Sequence, residues 1–245
     1  VLIRSKKGVS LTKAGSQLLK HSKVMMQHWD QIKSEVLSSV NEVTGGLSLG
    51  CHPSVGLYTL DKFLPKVLEA APNLEISLFH DLSRNIVERI ISLELDLGLV
   101  INPVRHPDLI IQNLLEDTVT LWTTGKNKSN VDYKSKNAVL ICDPELLQTQ
   151  DILKKLKKSG LHFSRVVTSN NLENIANLTA SGAGIGILPT RIAKKMAGNK
   201  IHEIKEAPKF KDTLSVVYRV ENKKVKSLQY LVSEILNKIN GKSNS

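Results

Sequence analysis

The side chains best suited to chemistry sit together at Cys51-His52-Pro53-Ser54. A thiol beside an imidazole could ligate a metal or act as a nucleophile. A metal needs several ligands at matched spacing, and neither His-x-x-His nor Cys-x-x-Cys occurs among the 245 residues. A nucleophile needs a base that a third group orients. The seven histidines are scattered, and the sequence has no Walker motif and no His-Glu-x-x-His. The Gly-x-Ser-x-Gly pattern of a hydrolase elbow is not expected either. These residues therefore read as a binding site, with no catalytic set, no metal and no cofactor.

What they could bind follows from their place in the chain. An apolar run ends at Cys51 and a helical pattern starts just after it. In open α/β sheets, ligands bind at the carboxyl ends of strands. A helix start presents unpaired N–H groups and attracts anions. Ser54 can contact such a ligand, cap the helix, or do both. Asn102, Thr168 and Ser169 occupy equivalent strand-end positions, although Asn, Thr and Ser are also ordinary loop residues. Arg105 offers a counter-charge, or simply points to solvent. The expected ligand is small and anionic or strongly polar. Gly182, Gly184 and Gly186 invite a dinucleotide reading. That fingerprint follows a strand and opens a helix. Here the glycines close a helix and open a strand, which predicts a helix C-terminal turn with positive φ.

The elements that must position these residues are legible from periodicity. Residues 1–11 read as a short hairpin, and Thr12 stands where a helix N-cap belongs. From Lys13 to about Val43 the spacing is helical, with Met25, Trp29, Ile32, Val36, Val40 and Val43 on one stripe. Such a stripe needs a partner, either a second copy of the helix or the chain's own core. Gly45-Gly46 reads as a break. Strands are then expected at Leu47–Cys51, Leu74–Phe79, Leu97–Ile101, Leu109–Leu115, Val119–Trp122, Val139–Cys142, Arg165–Thr168, Ile185–Leu188 and Leu214–Val220. Helices are expected at Val55–Ala70, Arg84–Leu93, Leu146–Lys158, Leu172–Ala180, Arg191–Ala197 and Val225–Ile239. This alternation predicts an α/β protein with helices covering parallel sheets. Pro65 predicts a kink or a split in the first of those helices. Lys126–Lys136 reads as a crossing between two α/β halves.

Charge and composition narrow the class. The chain is long enough for a sizeable core. Two cysteines make no disulfide framework, no apolar run could span a membrane, and no export signal is seen. A reduced, cytoplasmic setting is expected. The net charge of +11 is uneven: +4 over residues 1–50 (seven basic, three acidic), −1 over 51–190 (fourteen, fifteen) and +8 over 191–245 (thirteen, five). Basic ends hint at a polyanionic partner, or at a solvated lysine-rich surface.

The order of motifs resembles one family. Leu2-x-Arg4, then Gly8-Val9-x-Leu11-Thr12-x-Ala14-Gly15, resembles the wing and following linker helix of LysR-type transcriptional regulators. Gly45-Gly46-Leu47-Ser48-Leu49-Gly50 is similar to the start of their effector-binding domain. Phe63-Leu64-Pro65, Ala71-Pro72, Leu95-Asp96-Leu97-Gly98-Leu99 and Ser181-Gly182-Ala183-Gly184-Ile185-Gly186-Ile187-Leu188-Pro189 continue the resemblance over nearly the whole chain. Glu94 departs from it, standing where the family usually has Gly, and no His-Pro pair follows Trp122.

The resemblance implies a periplasmic-binding-protein type II architecture, with two Rossmann-like subdomains preceded by a long linker helix. Residues 1–12 would be a remnant of a winged helix-turn-helix, and 13–44 a linker and dimerisation helix. Residues 45–245 would be the effector-binding domain, with subdomain I at about 45–124 and 212–240 and subdomain II at about 125–211. The resemblance places effector contacts on the loop of Pro53, Ser54 and Val55, facing Asn102, Thr168 and Ser169 across a cleft. Arg4, Lys6 and Lys7 on the wing would meet DNA phosphates, which carry no base identity. The recognition helix, which precedes the wing in that family, is expected to lie outside this chain. The implied partners are DNA through the full-length protein, a small-molecule effector and a second copy, as homodimer or tetramer, with no membrane. A solute-binding protein of a transport system would share the fold. A two-lobed α/β enzyme would too, but nothing catalytic supports it.

Overall fold

The computed structural model describes residues 1–5, 8–37, 43–124 and 138–239. The chain opens with an antiparallel hairpin, β1 (Leu2–Ser5) and β2 (Gly8–Leu11), with Arg4 opposite Val9. Thr12 caps the next helix as expected: its Oγ1 accepts from the Gly15 N–H at 3.0 Å. That helix, α1, runs Lys13–Leu37. Of the residues expected on its stripe, Val40 lies outside the described residues.

From there the elements alternate: β3 (Gly45–Cys51), α2 (Pro53–Ala70), β4 (Leu74–His80), α3 (Ser83–Ile91), β5 (Leu97–Ile101) and β6 (Leu109–Thr123). Then follow β7 (Val139–Cys142), α4 (Leu147–Lys158), β8 (Arg165–Thr168), α5 (Leu172–Ala180), β9 (Ile185–Pro189) and α6 (Thr190–Ala197). The chain ends in β10 (His202–Glu203), β11 (Phe210–Arg219) and α7 (Lys226–Ile239).

These residues group into two compact units. The first comprises Val1–Pro53, Asp61–Leu114 and the chain from Ser215 on; the second comprises Ser54–Leu60 and Leu115–Leu214. In the first unit β3 pairs in parallel with β4 on one side and β5 on the other. Helix α3 buries Ile86 and Ile90 on this sheet, with Leu95, Val100, Leu109 and Val217. Two glycines permit the close approach. A Cβ on Gly98 would stand 2.7 Å from Ile86 Cγ2, and one on Gly50 2.8 Å from the same methyl. In the second unit β9 lies between β6, antiparallel, and β7, parallel, and β8 follows β7 in parallel. Its core packs Val119, Leu121, Leu140, Ile152, Leu156, Ile185 and Ile187.

Three expectations are revised. Pro65 does not split α2, which is continuous from Pro53 to Ala70. Pro65 is exposed, while Phe63 and Val67 beside it are fully buried, so packing outweighs the lost backbone bond. The strands expected at 109–115 and 119–122 are one 15-residue strand. The polar Glu116-Asp117-Thr118 between them does not break the strand, and Asp117 is engaged with a distant helix start. Gly45-Gly46 does not interrupt the chain as a loop; it opens β3, with Gly45 at φ +107°. The expected crossing at Lys126–Lys136 lies outside the described residues.

Candidate functional site

β3 delivers Cys51, fully buried, at its carboxyl end. Cys51 Sγ lies 3.6 Å from His80 Nδ1, and the same ring nitrogen lies 3.2 Å from the Cys51 carbonyl. The imidazole is thus engaged at the end of the neighbouring strand β4. Among the described residues no group of three or more His, Cys, Asp or Glu could hold a metal ion.

After His52 the chain turns into α2. Pro53 is exposed at the helix start, whereas Ser54 and Val55 are each 3% exposed. No acidic residue stands in the first turn of this 18-residue helix, so its positive end is not neutralised locally. Asn102 follows β5 and is exposed, with φ +49°. Asn tolerates this left-handed region better than most residues. β3 and β5 are adjacent and parallel, with Cys51 opposite Leu99, so the Pro53 turn and Asn102 leave the same edge of one sheet. Arg105, beyond Asn102, is exposed.

Thr168 and Ser169 belong to the second unit. Thr168 is exposed at the end of β8, opposite Cys142 of β7. Ser169 is half-buried; its hydroxyl accepts from the Asn171 N–H at 3.2 Å and donates to the Asn171 carbonyl at 3.3 Å. Its role is at least partly to shape the turn into α5. On the hairpin Arg4 is exposed, and Lys6 and Lys7 lie outside the described residues.

The glycine-rich stretch behaves as a helix terminus. Gly182 has φ +84°, its N–H donates to the Thr179 carbonyl, and the Ala183 N–H donates to the Leu178 carbonyl, both at 3.0 Å. This is the bond pattern of a Schellman cap. Gly186 then lets β9 pass against the Thr179 hydroxyl.

One expectation about motifs needs correction. Gly46-Leu47-Ser48-Leu49-Gly50 does spell the Gly-x-Ser-x-Gly pattern of hydrolase elbows. Ser48 lies inside β3, not at a strand-to-helix turn, and its hydroxyl donates to Asp96 Oδ2 at 2.6 Å. The pattern carries no nucleophile here.

Sequence reasoning also passed over three charged residues at the same edge of the second unit. Asp143 follows β7 and is 1% exposed; its Oδ1 accepts from the Glu145 N–H at 2.9 Å, and its Oδ2 has no hydrogen-bond partner. Arg191 stands two residues past the end of β9. Asp117 in β6 accepts from the backbone N–H groups of Thr118 (2.8 Å) and Arg191 (3.1 Å). Burial raises the Asp117 carboxyl above its ordinary pKa, against those two bonds. The strand-end rule that selected Asn102 and Thr168 would have reached Asp143 and Arg191 had it been applied to β7 and β9.

Comparison with known proteins bears on this arrangement. Residues 41–238 match the family model for the LysR substrate binding domain. The HTH-type transcriptional regulator BbuR of Bordetella bronchiseptica is 33% identical over 121 residues, 49% of this chain and 37% of that protein. The HTH-type transcriptional regulator CzcR of Bacillus cereus is 26% identical over 201 residues, 81% of this chain and 68% of that protein. Among solved structures, full-length OxyR from Pseudomonas aeruginosa superposes with a TM-score of 0.67 at 19% identity, covering 96% of this chain and 79% of that one. CbnR, a LysR family transcriptional regulator, superposes at 0.57 with 21% identity, covering 96% of this chain and 84% of that one. These two likenesses show the fold, that of LysR regulatory domains with periplasmic-binding-protein type II architecture. The curated relatives are named as transcriptional regulators, not as enzymes or transport proteins.

Proposed function

The chain belongs to the LysR substrate binding domain family, and from that premise we propose that it is the sensing part of a cytoplasmic transcription regulator whose effector is a small anionic metabolite. The candidate contacts for the effector are Pro53, Ser54 and Val55 at the start of α2, and the strand-end residues Asn102, Thr168 and Ser169. The observation carrying this reading is a buried serine in the first turn of an 18-residue helix that has no acidic residue there, at the carboxyl end of β3. Binding would shift a conformational equilibrium by its differential affinity for two states. The shift would pass through α1 to a DNA-reading domain and change transcription.

Arg4, Lys6 and Lys7 would add phosphate contacts on DNA, salt-sensitive and indifferent to sequence. The chain would work as a homodimer or tetramer through α1. On α1 the apolar side chains of Met25, Trp29 and Ile32 are 69%, 58% and 51% exposed in the single chain. They recur at three- and four-residue steps, as a helix-pairing seam requires.

Titration calorimetry tests the ligand. The probes are acetate, succinate, citrate, sulfate and inorganic phosphate, each against a chloride-matched control. At least one should bind the whole chain, and Ser54→Glu should abolish that binding by adding bulk and like charge. Tight binding of a neutral apolar compound, with every anion ignored, would remove the anionic effector from the reading.

A further inference from the structure

We infer that Arg191 is the counter-charge for the anionic end of the ligand, presented from the start of α6 beside the first turns of α2. This rests on the proposed reading of the chain as an anion sensor and adds a residue to it. All the groups concerned belong to the second unit, which includes Ser54–Leu60.

The guanidinium is held but not consumed. Its Cζ lies 5.9 Å from the centre of the Tyr58 ring, a cation–π distance. Its Nε is buried and has no hydrogen-bond partner. No ion pair of Arg191 occurs among the described residues. Asp117 is the obvious carboxylate to neutralise it, yet both Asp117 oxygens accept backbone N–H groups, Oδ1 from Thr118 and Oδ2 from Arg191 itself. Asp117 therefore positions the Arg191 backbone and attracts the guanidinium through its charge, while the buried Nε keeps no hydrogen-bond partner. Lys194, one turn on in α6, adds further positive charge near Asp117.

A buried donor without a partner costs free energy, and such a group in a folded protein calls for an explanation. Arg191 as a whole is half-buried, and its position points to a ligand. Tyr58 is four residues after Ser54, hence on the same face of α2. Arg191 follows β9 by two residues, at the carboxyl edge where this sheet type takes its ligands. A planar guanidinium there matches a carboxylate or phosphate through paired N–H donors. Sequence charge alone offered Arg105 for this role, and Arg105 is exposed.

The test is calorimetry on the whole chain with the same five anions, comparing wild type with R191Q and R191K. For any anion the wild type binds, R191Q should raise the Kd by roughly tenfold or more, as loss of a charged hydrogen-bond pair implies. R191K should fall between the two, because an ammonium keeps the charge and loses the fork. An anion bound equally by wild type and R191Q overturns the role of Arg191 and leaves the anion-sensor reading intact. If no anion binds wild type, both fall. Should R191Q fail to fold by circular dichroism, R191K decides: an unchanged Kd overturns the inference.

Discussion

Ser48 and Asp96, 48 residues apart, hold each other by reciprocal bonds across β3 and the start of β5. Asp96 Oδ2 accepts from the Ser48 N–H at 2.7 Å and from its hydroxyl at 2.6 Å, while the Asp96 N–H donates to Ser48 Oγ at 2.9 Å. The pair fixes the two strands whose carboxyl ends carry the Pro53 turn and Asn102. Hydrogen bonds to a charged group contribute about 1.5–3 kcal/mol, so Asp96→Ala should lower the unfolding free energy by roughly that much and Asp96→Asn by less. Urea unfolding reads the difference. A fluorophosphonate probe should leave Ser48 unlabelled; labelling would revive the nucleophile reading.

Much of this fold was legible because its signals are local. β5, β7, β8 and α5 fall on the residues that periodicity predicts, each bounded by turn residues. What was not legible depends on contacts distant in sequence. Pro65 is accommodated because Phe63 and Val67 anchor α2 on both sides. The strand runs on through Asp117, whose carboxylate accepts from Arg191, 74 residues away. The short β10 exists only as a partner of β6. The candidate site divides in the same way. Ser54 and Asn102 were found from their place after strands. Arg191 stands out only when its unpartnered Nε and its stacking on Tyr58 are seen together.

Cys142 should be inert at neutral pH. It is 1% exposed, and burial, followed by the charge of Asp143, raises its thiol from 9.0 to about 11. A thiol whose folded pKa is raised stabilises the fold below the unfolded value and loses that contribution as pH climbs through the folded one. The wild type should therefore lose extra stability between about pH 9 and 11. Denaturant midpoints across that range, compared with Cys142→Ala, isolate this term from the lysines and tyrosines. Parallel curves for the two proteins would contradict it.

Glu94, which takes the place of a family glycine, ties α1 to the segment between α3 and β5 within the first unit. Its Oε1 pairs with Lys23 of α1 at 3.0 Å and its Oε2 with Arg89 at 3.5 Å. The hydrogen bond from Lys23, then the charges of Lys23 and Arg89, hold its carboxyl below the ordinary range against a desolvation effect. The sign follows: the tie is present above the unfolded carboxyl pKa and is lost as pH falls through the depressed value. The side chains of Lys23 and Glu94 keep 30% and 43% of their surface exposed, so Glu94→Gln should change global stability by less than about 1 kcal/mol. It should nonetheless speed limited tryptic cleavage within α1 at neutral pH. Equal cleavage of wild type and variant would mean that other contacts hold the helix.

The exposed stripe on α1 makes the strongest claim about assembly. Met25, Trp29 and Ile32 leave a large apolar surface in water in the single chain, and burying one such side chain is worth about 1.5–3 kcal/mol. A stripe packed on the chain's own core would not leave all three more than half exposed. Trp29→Glu in the whole chain should therefore shift light-scattering mass toward the monomer while the fold, read by circular dichroism, persists. The substitution places a charge in the centre of the seam, where a second copy would have to bury it unpaired. The opposite result is equally clear. If Trp29→Glu unfolds the protein without a monomeric folded state, or leaves the mass unchanged, the stripe is not the surface through which two copies meet, and the proposed route from effector to DNA through paired α1 helices loses its physical basis.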